Sequence, residues 1–528
     1  MSDTSSGARR GDWPDHPLIY QIYPRSFQDT TGSGEGDLAG ITRRLDHIAR
    51  LGADAIWLSP FYTSPMDDGG YDVADHCAVD PRFGTLADFD ELVARAHDLG
   101  LKVMIDQVFN HTSDQHPWFQ RSLAGDPDYA DFYVWADPCD DGRPPSNWIG
   151  YFGLPSWRWH PQRRQYCLHQ FLPSQPGLNH YNPAVNAALG EISRFWRDRG
   201  VDGFRYDAVT SIFFDKEYRD NPPAGDDQGS QPGSAANPFT MQRHDYDMLP
   251  KECASYAEKL REWAGPDAYL MGEINDGPTS VETLEKFTAP SRLDAGYVVD
   301  LAERGLTGGV LADVIERMEG PGRLIWWLSC HDQPRQVSRA GDGSARDARM
   351  LAALLLALPG PVLIYQGEEL GMPQPDLPKS ALRDPFDLAF WPEPPGRDGA
   401  RTPIPWQAGE GYGFTTGVPW LPMELPPGGP ALQQWEEPGS VLSFYHGAIA
   451  ERRALGLAGA AIECVVAEED FFAARLSGDD SAFLLVTNLG QSPRDVPEGA
   501  AHAEVALSSD GTPPPGRIAP RSTLWLRL

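Results

Sequence analysis

Eight short apolar, β-rich runs recur along most of the chain, and most are followed by a segment of helical spacing. This alternation constrains the fold more than any other feature. LIYQIYP (18–24) precedes LAGITRRLDHIARLG (38–52), and ADAIWLSP (53–60) precedes LADFDELVARAHDLG (86–100). The third run is LKVMIDQVFNH (101–111), and the fourth and fifth are VDGFRYDAV (201–209) and AYLMGEIN (268–275). AGYVVDL (295–301), LIWWLSCHDQ (324–333) and PVLIYQGEE (361–369) complete the set. Strand–helix alternation predicts parallel strands joined by right-handed crossovers. Eight units predict a closed (β/α)8 TIM barrel rather than an open doubly wound sheet. No G-x-G-x-x-G or P-loop follows any strand, so a nucleotide-binding sheet has no support.

Two segments interrupt the repeat. Residues 112–172 are rich in Trp, Tyr, Pro and Asp and too long for a plain connection, so they predict a subdomain inserted after strand 3. Residues 216–250 predict a long Pro/Gly-rich loop after the fourth strand. After the helical pattern VLSFYHGAIAERRAL (441–455), FFAARL (471–476) and AFLLVTNLG (482–490) predict a C-terminal all-β sandwich. The expected division is a barrel over 1–111 and 173–455, an insert over 112–172 and a β-sandwich over 456–528.

The 528 residues carry a net charge of −31, which argues against a nucleic-acid or anionic-membrane partner. The N-terminus MSDTSSGARRGDWPDHP lacks an apolar h-region, and LAALLLALPGPVLIY is broken by Pro359, Gly360 and Pro361. The six cysteines form no C-x-x-C pair, which suits reduced thiols. A cytoplasmic location is expected, as a monomer or homodimer.

Charged residues gather at the C-terminal tips of the predicted strands: Asp106 and His111 on the third, Arg205 and Asp207 on the fourth, Glu273 on the fifth, His331 and Asp332 on the seventh. A lone carboxylate at such a tip is ordinarily a helix cap or a solvated loop residue. Convergence of this many on one rim of a barrel is the pattern of an active site. Two facing carboxylates are the minimum for glycosidic cleavage, one to attack the sugar and one to protonate the leaving oxygen. In GFRYD, strand alternation aims Arg205 and Asp207 the same way, so the guanidinium is expected to keep Asp207 ionised. Glu273 follows the apolar LMG, where desolvation is expected to suit it to the acid role.

With these motifs in view, the chain resembles the α-amylase family of glycoside hydrolases, in its α-glucosidase and oligo-1,6-glucosidase branch. DQVFNH, GFRYDAV, GEIN and SCHD stand where that family carries its four conserved regions, and QPGLN (175–179), YQGEELGMP and GRDGARTPIPW strengthen the placement. The resemblance implies Asp207 as nucleophile, Glu273 as acid/base and Asp332 as the third carboxylate, gripping sugar hydroxyls. It implies that His111, His331 and Arg205 line the glucose pocket, that Asp68 and Tyr71 close its non-reducing end, and that Phe152, Phe171 and Arg401 line the same pocket. The residue after the nucleophile, Ala208, implies α-1,4 over α-1,6 preference. The substrate implied is a short oligosaccharide cleaved with retention and with no organic cofactor; the alternatives are a sucrose- or trehalose-directed glucosyltransferase or isomerase on the same scaffold, or an α-1,6-specific oligo-1,6-glucosidase. Two positions depart from the pattern: Cys330 stands for the usual Asn, and Gly177 for the usual Asp. A buried, inert thiol is expected at Cys330.

The stretch QDTTGSGEGDLAG (28–40) has the look of an acidic calcium loop stripped of ligands. Relatives are implied to hold one calcium or magnesium ion there. Asp29, Asp37 and the carbonyl of Glu35 remain, while Thr31 and Ser33 stand where Asn and Asp are expected. A weak structural Ca2+ or Mg2+ site is the expectation.

Overall fold

A computed structural model of the chain describes residues 12–225, 236–318, 320, 322–393, 396–478 and 481–528. Parts of two predicted segments, the polar N-terminus and the Pro/Gly-rich loop, lie outside the described residues. Seven parallel strands form one sheet in the spatial order Ala295–Val298, Tyr269–Ile274, Gly203–Tyr206, Lys102–Gln107, Ala55–Leu58, Leu18–Ile22, Val362–Tyr365. The seventh predicted run supplies no full strand. It instead bridges the two edges: Leu324 pairs with Gly296 and Trp326 with Val362, both parallel. The amide of Ile325 donates to the Gly296 carbonyl at 2.8 Å, and that of Leu363 to the Trp326 carbonyl at 2.9 Å. These contacts join the two edges and close the sheet into a barrel.

The barrel strands are buried on both faces, which is why they read as continuous apolar runs rather than alternating ones. Their helices are amphipathic and capped by sequence. Asp37 caps the helix Leu38–Leu51 by accepting from the Gly40 amide, and Gly52, at φ 102°, ends it. Thr85 and Asp88 form a reciprocal capping box on the helix Leu86–Asp98. Arg452, buried on the helix Val441–Ala454, donates to the carbonyls of Leu356, Leu358 and Gly360 around the end of the helix Ala345–Ala357.

After the third strand the chain makes a helix, Pro117–Leu123, and a small antiparallel sheet of Trp135–Ala136, Gln165–Leu168 and Trp157–His160. Beyond the barrel, five antiparallel strands pair in the order Ala461–Ala467, Phe471–Ser477, Ala482–Asn488, Ser522–Arg527, Glu504–Ser508, with a two-stranded ladder of Arg494–Asp495 and Arg517–Ile518 beside them. This all-β unit docks on the helix Ala345–Ala357. Trp525 Nε1 donates to the Ala353 carbonyl at 2.9 Å, and Arg521 pairs with Asp347 at 2.7 Å.

Candidate active site

Arg205 is the hub of the C-terminal rim. Its guanidinium has no exposed surface and serves carboxylates from three strands. Nη1 donates to Asp106 Oδ1 at 2.5 Å and, by a shorter contact, to Asp207 Oδ1; Nη2 donates to Glu273 Oε2 at 2.8 Å. Nη2 also donates to Tyr297 Oη at 2.7 Å. Asp106 is in turn fixed by Trp57 Nε1 at 2.9 Å and Tyr71 Oη at 3.2 Å. Strands two to six of the barrel thus each contribute to this cluster, the fourth with both Arg205 and Asp207. Ala208 adopts a left-handed conformation, φ 43° and ψ 38°, which is strained for any residue with a Cβ. Its reward is geometric: the turned-in amide donates to Glu273 Oε2 at 3.1 Å.

A second cluster faces the first. Asp332 Oδ1 accepts from Arg401 Nη2 at 2.8 Å and Arg397 Nη1 at 3.2 Å, and its Oδ2 lies 2.9 Å from His331 Nε2. Arg397 Nη2 also donates to Asp68 Oδ1 at 2.7 Å. Gln21 Nε2 sits 2.8 Å from His331 Nδ1, and the Tyr71 ring stacks on the His331 ring at 5.1 Å and 10°. In DDGGY the glycines matter sterically. A Cβ on Gly69, at φ 60°, would meet Tyr23 Oη at 2.8 Å and Arg401 Nη1 at 2.9 Å.

The insert and the residues flanking it supply a third wall. Gln175 Nε2 bridges Asp68 Oδ2 at 2.9 Å and His111 Nε2 at 3.0 Å, while His111 Nδ1 faces Asn110 Oδ1 at 3.0 Å. Phe171 lies against His111 at 4.9 Å and stacks on Tyr151 at 4.9 Å and 11°. Phe152 meets Phe386 edge-on at 6.0 Å and lies under the Arg397 guanidinium at 5.5 Å.

The two clusters set opposite protonation. Burial pushes Asp207 well above the usual carboxylate range, the neighbouring carboxylates of Glu273, Asp106 and Asp332 push it further, and Arg205 opposes. Asp106, buried against the same guanidinium, is pushed up by burial as well, with Arg205 again opposing. Asp332 goes the other way. Burial raises it, but His331, Arg397 and Arg401 together hold it well below the usual range. Burial lowers His111 to about 3, so its ring is neutral and meets a sugar through hydrogen bonds rather than charge.

Every residue assigned to the pocket from sequence lies in one of these three walls, and Arg401, 2 % exposed, is no surface pair. Glu273 is partly buried, as expected, but less deeply than its partner. The Glu273 side chain is 22 % exposed against 10 % for Asp207, so the deeper burial falls on Asp207. The reason is position: Asp207 follows its strand directly into the turn at Ala208, whereas Glu273 reaches across from the neighbouring strand. Cys330 is buried and free; burial pushes its thiol up, and its Sγ receives the Asp332 amide at 3.4 Å. Gly177 bridges to His111 with no left-handed backbone requirement.

The metal expectation is corrected. Asp29 accepts from the amides of Thr31, Gly32 and Gly34 at 2.8–2.9 Å and from the hydroxyls of Thr31 and Thr415. Asp37 accepts from the amides of Thr30 and Gly40 and the Thr30 hydroxyl. The Glu35 carboxylate pairs with Arg25, and its carbonyl accepts from Ser33 Oγ at 3.1 Å. With these oxygens turned to protein donors, the loop residues do not fit a divalent cation, and no group of three or more metal-ligating side chains converges among the described residues. Thr31 and Ser33, which stand where ligands are expected, close the loop instead.

Sequence reasoning missed Arg397 and Gln175 as site residues, although each stands in a quoted signature. Tyr297 and Trp57 carried no signal: they are ordinary aromatics until the barrel aims them at Arg205 and Asp106.

Residues 21–456 match the family model described as the α-amylase catalytic domain. The chain belongs to the α-amylase family. Residues 460–525 match a domain of unknown function. A probable α-glucosidase of Rhizobium meliloti (strain 1021) is 46% identical over 470 residues, covering 86% of this chain and 85% of that protein. Trehalose-6-phosphate hydrolase of Escherichia coli (strain K12) is 38% identical, covering 78% of each. Among solved structures, the α-glucosyl transfer enzyme XgtA superposes with TM-score 0.92 at 41% identity, covering 97% of this chain and 98% of that one. The trehalulose synthase MutB of Pseudomonas mesoacidophila gives 0.87 at 31% identity, covering 97% and 99%. This α-amylase family member is a glycoside hydrolase.

Proposed function

We propose that the chain is a retaining, exo-acting α-glucosidase that removes terminal glucose from the non-reducing end of short α-glucosides, preferring α-1,4 links. One observation carries this reading: Asp207 and Glu273 hang from the two terminal nitrogens of one guanidinium. Inverting enzymes separate their carboxyl groups by ~6.5–9.5 Å to admit a water, whereas retaining pairs stand ~5–5.5 Å apart. Two carboxylates on one arginine suit the closer arrangement. In this reading an Asp207 oxygen attacks C1, and Glu273 as general acid donates a proton to the departing glycosidic oxygen. The product is a β-glucosyl ester on Asp207. Glu273 then takes a proton from water, or from a sugar hydroxyl in transglucosylation, as that oxygen attacks C1 and frees Asp207. Asp332, ionised between its arginines, and Asp68, beside Arg397, grip hydroxyls of the ring.

The buried Asp68–Arg397 pair beside Asp332 supports exo action, and the small Ala208 beside Glu273 supports the α-1,4 preference. The named relatives support glucosyl transfer or hydrolysis on this scaffold; among them, trehalulose synthase and trehalose-6-phosphate hydrolase keep a sucrose- or trehalose-directed reading in play. No helix among the described residues is long and apolar enough to cross a membrane, and we place the enzyme in the cytoplasm. The substrate partner is a short oligosaccharide, acted on by a monomer or homodimer. Release of glucose from maltose, isomaltose, sucrose and trehalose tests the proposal. Maltose should give the highest kcat/KM, with α-glucose as first product; β-glucose, or a preference for isomaltose, would overturn it.

A further inference from the structure

The structure points to Asp384 as a positioning residue that sets sugar affinity without touching the reacting atoms. It sits in the loop after Leu382 and caps the helix Pro385–Phe390 by accepting from the Asp387 amide at 3.3 Å. Its side chain has no exposed surface. Arg397 grips it with two nitrogens, Nη2 to Oδ1 at 2.5 Å and Nε to Oδ2 at 3.0 Å. Arg401 Nη1 adds a third contact at 3.4 Å. These two arginines are also the ones that hold Asp332, and Arg397 alone holds Asp68. The bidentate grip on Asp384 fixes the plane of Arg397, leaving only its outer edge for the two carboxylates of the sugar pocket.

Charge makes the arrangement more than a brace. Two guanidiniums face three aspartates, so the arginines are shared rather than surplus. Without Asp384, Arg397 would be free to close fully on Asp68 or Asp332, burying the oxygens that a sugar hydroxyl needs. Asp384 therefore holds the arginines back as well as in place. It also ties affinity to the pocket mouth, because Phe386, two residues on, packs on Phe152, over which Arg397 lies. Asp384 thus tunes substrate affinity by dividing Arg397 between itself and the sugar-binding carboxylates.

This inference rests on the α-glucosidase reading, so wild type is measured beside each variant; a wild type that releases no glucose from any α-glucoside would sink that reading and leave the Asp384 comparison to binding alone. Asp384→Asn removes the charge, and Asp384→Ser removes it while keeping a good helix cap. Each should raise KM for maltose and the Kd for glucose, the latter by calorimetry, by about 10- to 100-fold, the loss of one to two positioned charge-assisted contacts. kcat should fall less than the rise in KM, since Arg205 and its carboxylates are untouched. Asp384→Glu, which restores charge at a longer reach, should recover part of the affinity. A Kd for glucose unchanged within twofold in a folded variant, or kcat falling as far as KM rises, would overturn the assignment. So would failure of both variants to fold, since the residue would then be a structural brace.

Discussion

Exchanging Arg205 for lysine separates the role of its charge from that of its fork. The guanidinium makes contacts to Asp106, Asp207 and Glu273 from two nitrogens, and to Tyr297 besides. A lysine ammonium keeps the positive charge but is a single point, unable to span Asp207 and Glu273 while still reaching Asp106. At least two charge-assisted contacts are lost, each worth about 1.5–3 kcal/mol. If both serve to hold the nucleophile and the acid in register, kcat/KM should fall by about 10²–10⁴-fold. The fold should persist, because the buried acids retain a counter-ion. Arg205→Met, which leaves them unpaired, should instead cost about 3–5 kcal/mol of stability. Initial rates on p-nitrophenyl α-glucoside and melting curves for both variants make the test. A lysine variant with more than a tenth of wild-type kcat/KM would refute the reasoning that one fork organises both carboxylates.

Two further outcomes follow from the structure. Glu368 is buried, accepts from Tyr445 Oη at 3.0 Å, and is pushed by burial from 4.5 to about 8. The folded state therefore favours its neutral form, whose contribution is complete below about pH 4.5 and is lost as pH rises through about 8. Glu368→Gln should melt close to wild type at pH 5 and clearly above it at pH 8.5, the gap being at most about 5 kcal/mol; a gap independent of pH would count against it. The loop carrying Asp29 and Asp37 should be indifferent to metal: melting temperature should shift by less than about 1 °C between EDTA and millimolar calcium, and a large calcium-dependent rise would show a tight site.

The barrel was legible because period and length are local properties: each apolar run had to be a strand buried on both faces. The seventh run was the exception, since its closure by two bridges depends on where Gly296 and Val362 lie. The reacting residues were legible because strand tips concentrate them and the motifs are short. What sequence obscured was how groups distant along the chain share charge. Asp384 looked like any loop acid, and its role exists only where residues 68, 332 and 397 meet. The depth at which Asp207 is buried beside Arg205 was obscured for the same reason, because exposure is a property of the assembled rim. At the acidic loop, the sequence showed which ligands were gone, but only the structure showed that the hydroxyls of Thr31 and the distant Thr415 satisfy Asp29.

Trapping the covalent intermediate tests the central claim most directly. Incubation with 2-deoxy-2-fluoro-α-glucosyl fluoride or its 5-fluoro counterpart slows deglucosylation, and peptide mass spectrometry then locates the sugar. One fluoroglucosyl group is expected on the peptide containing Asp207, absent in Asp207→Asn and abolished by excess maltose. A label on another carboxylate, or full turnover of these reagents with inverted product and no label at all, would contradict it.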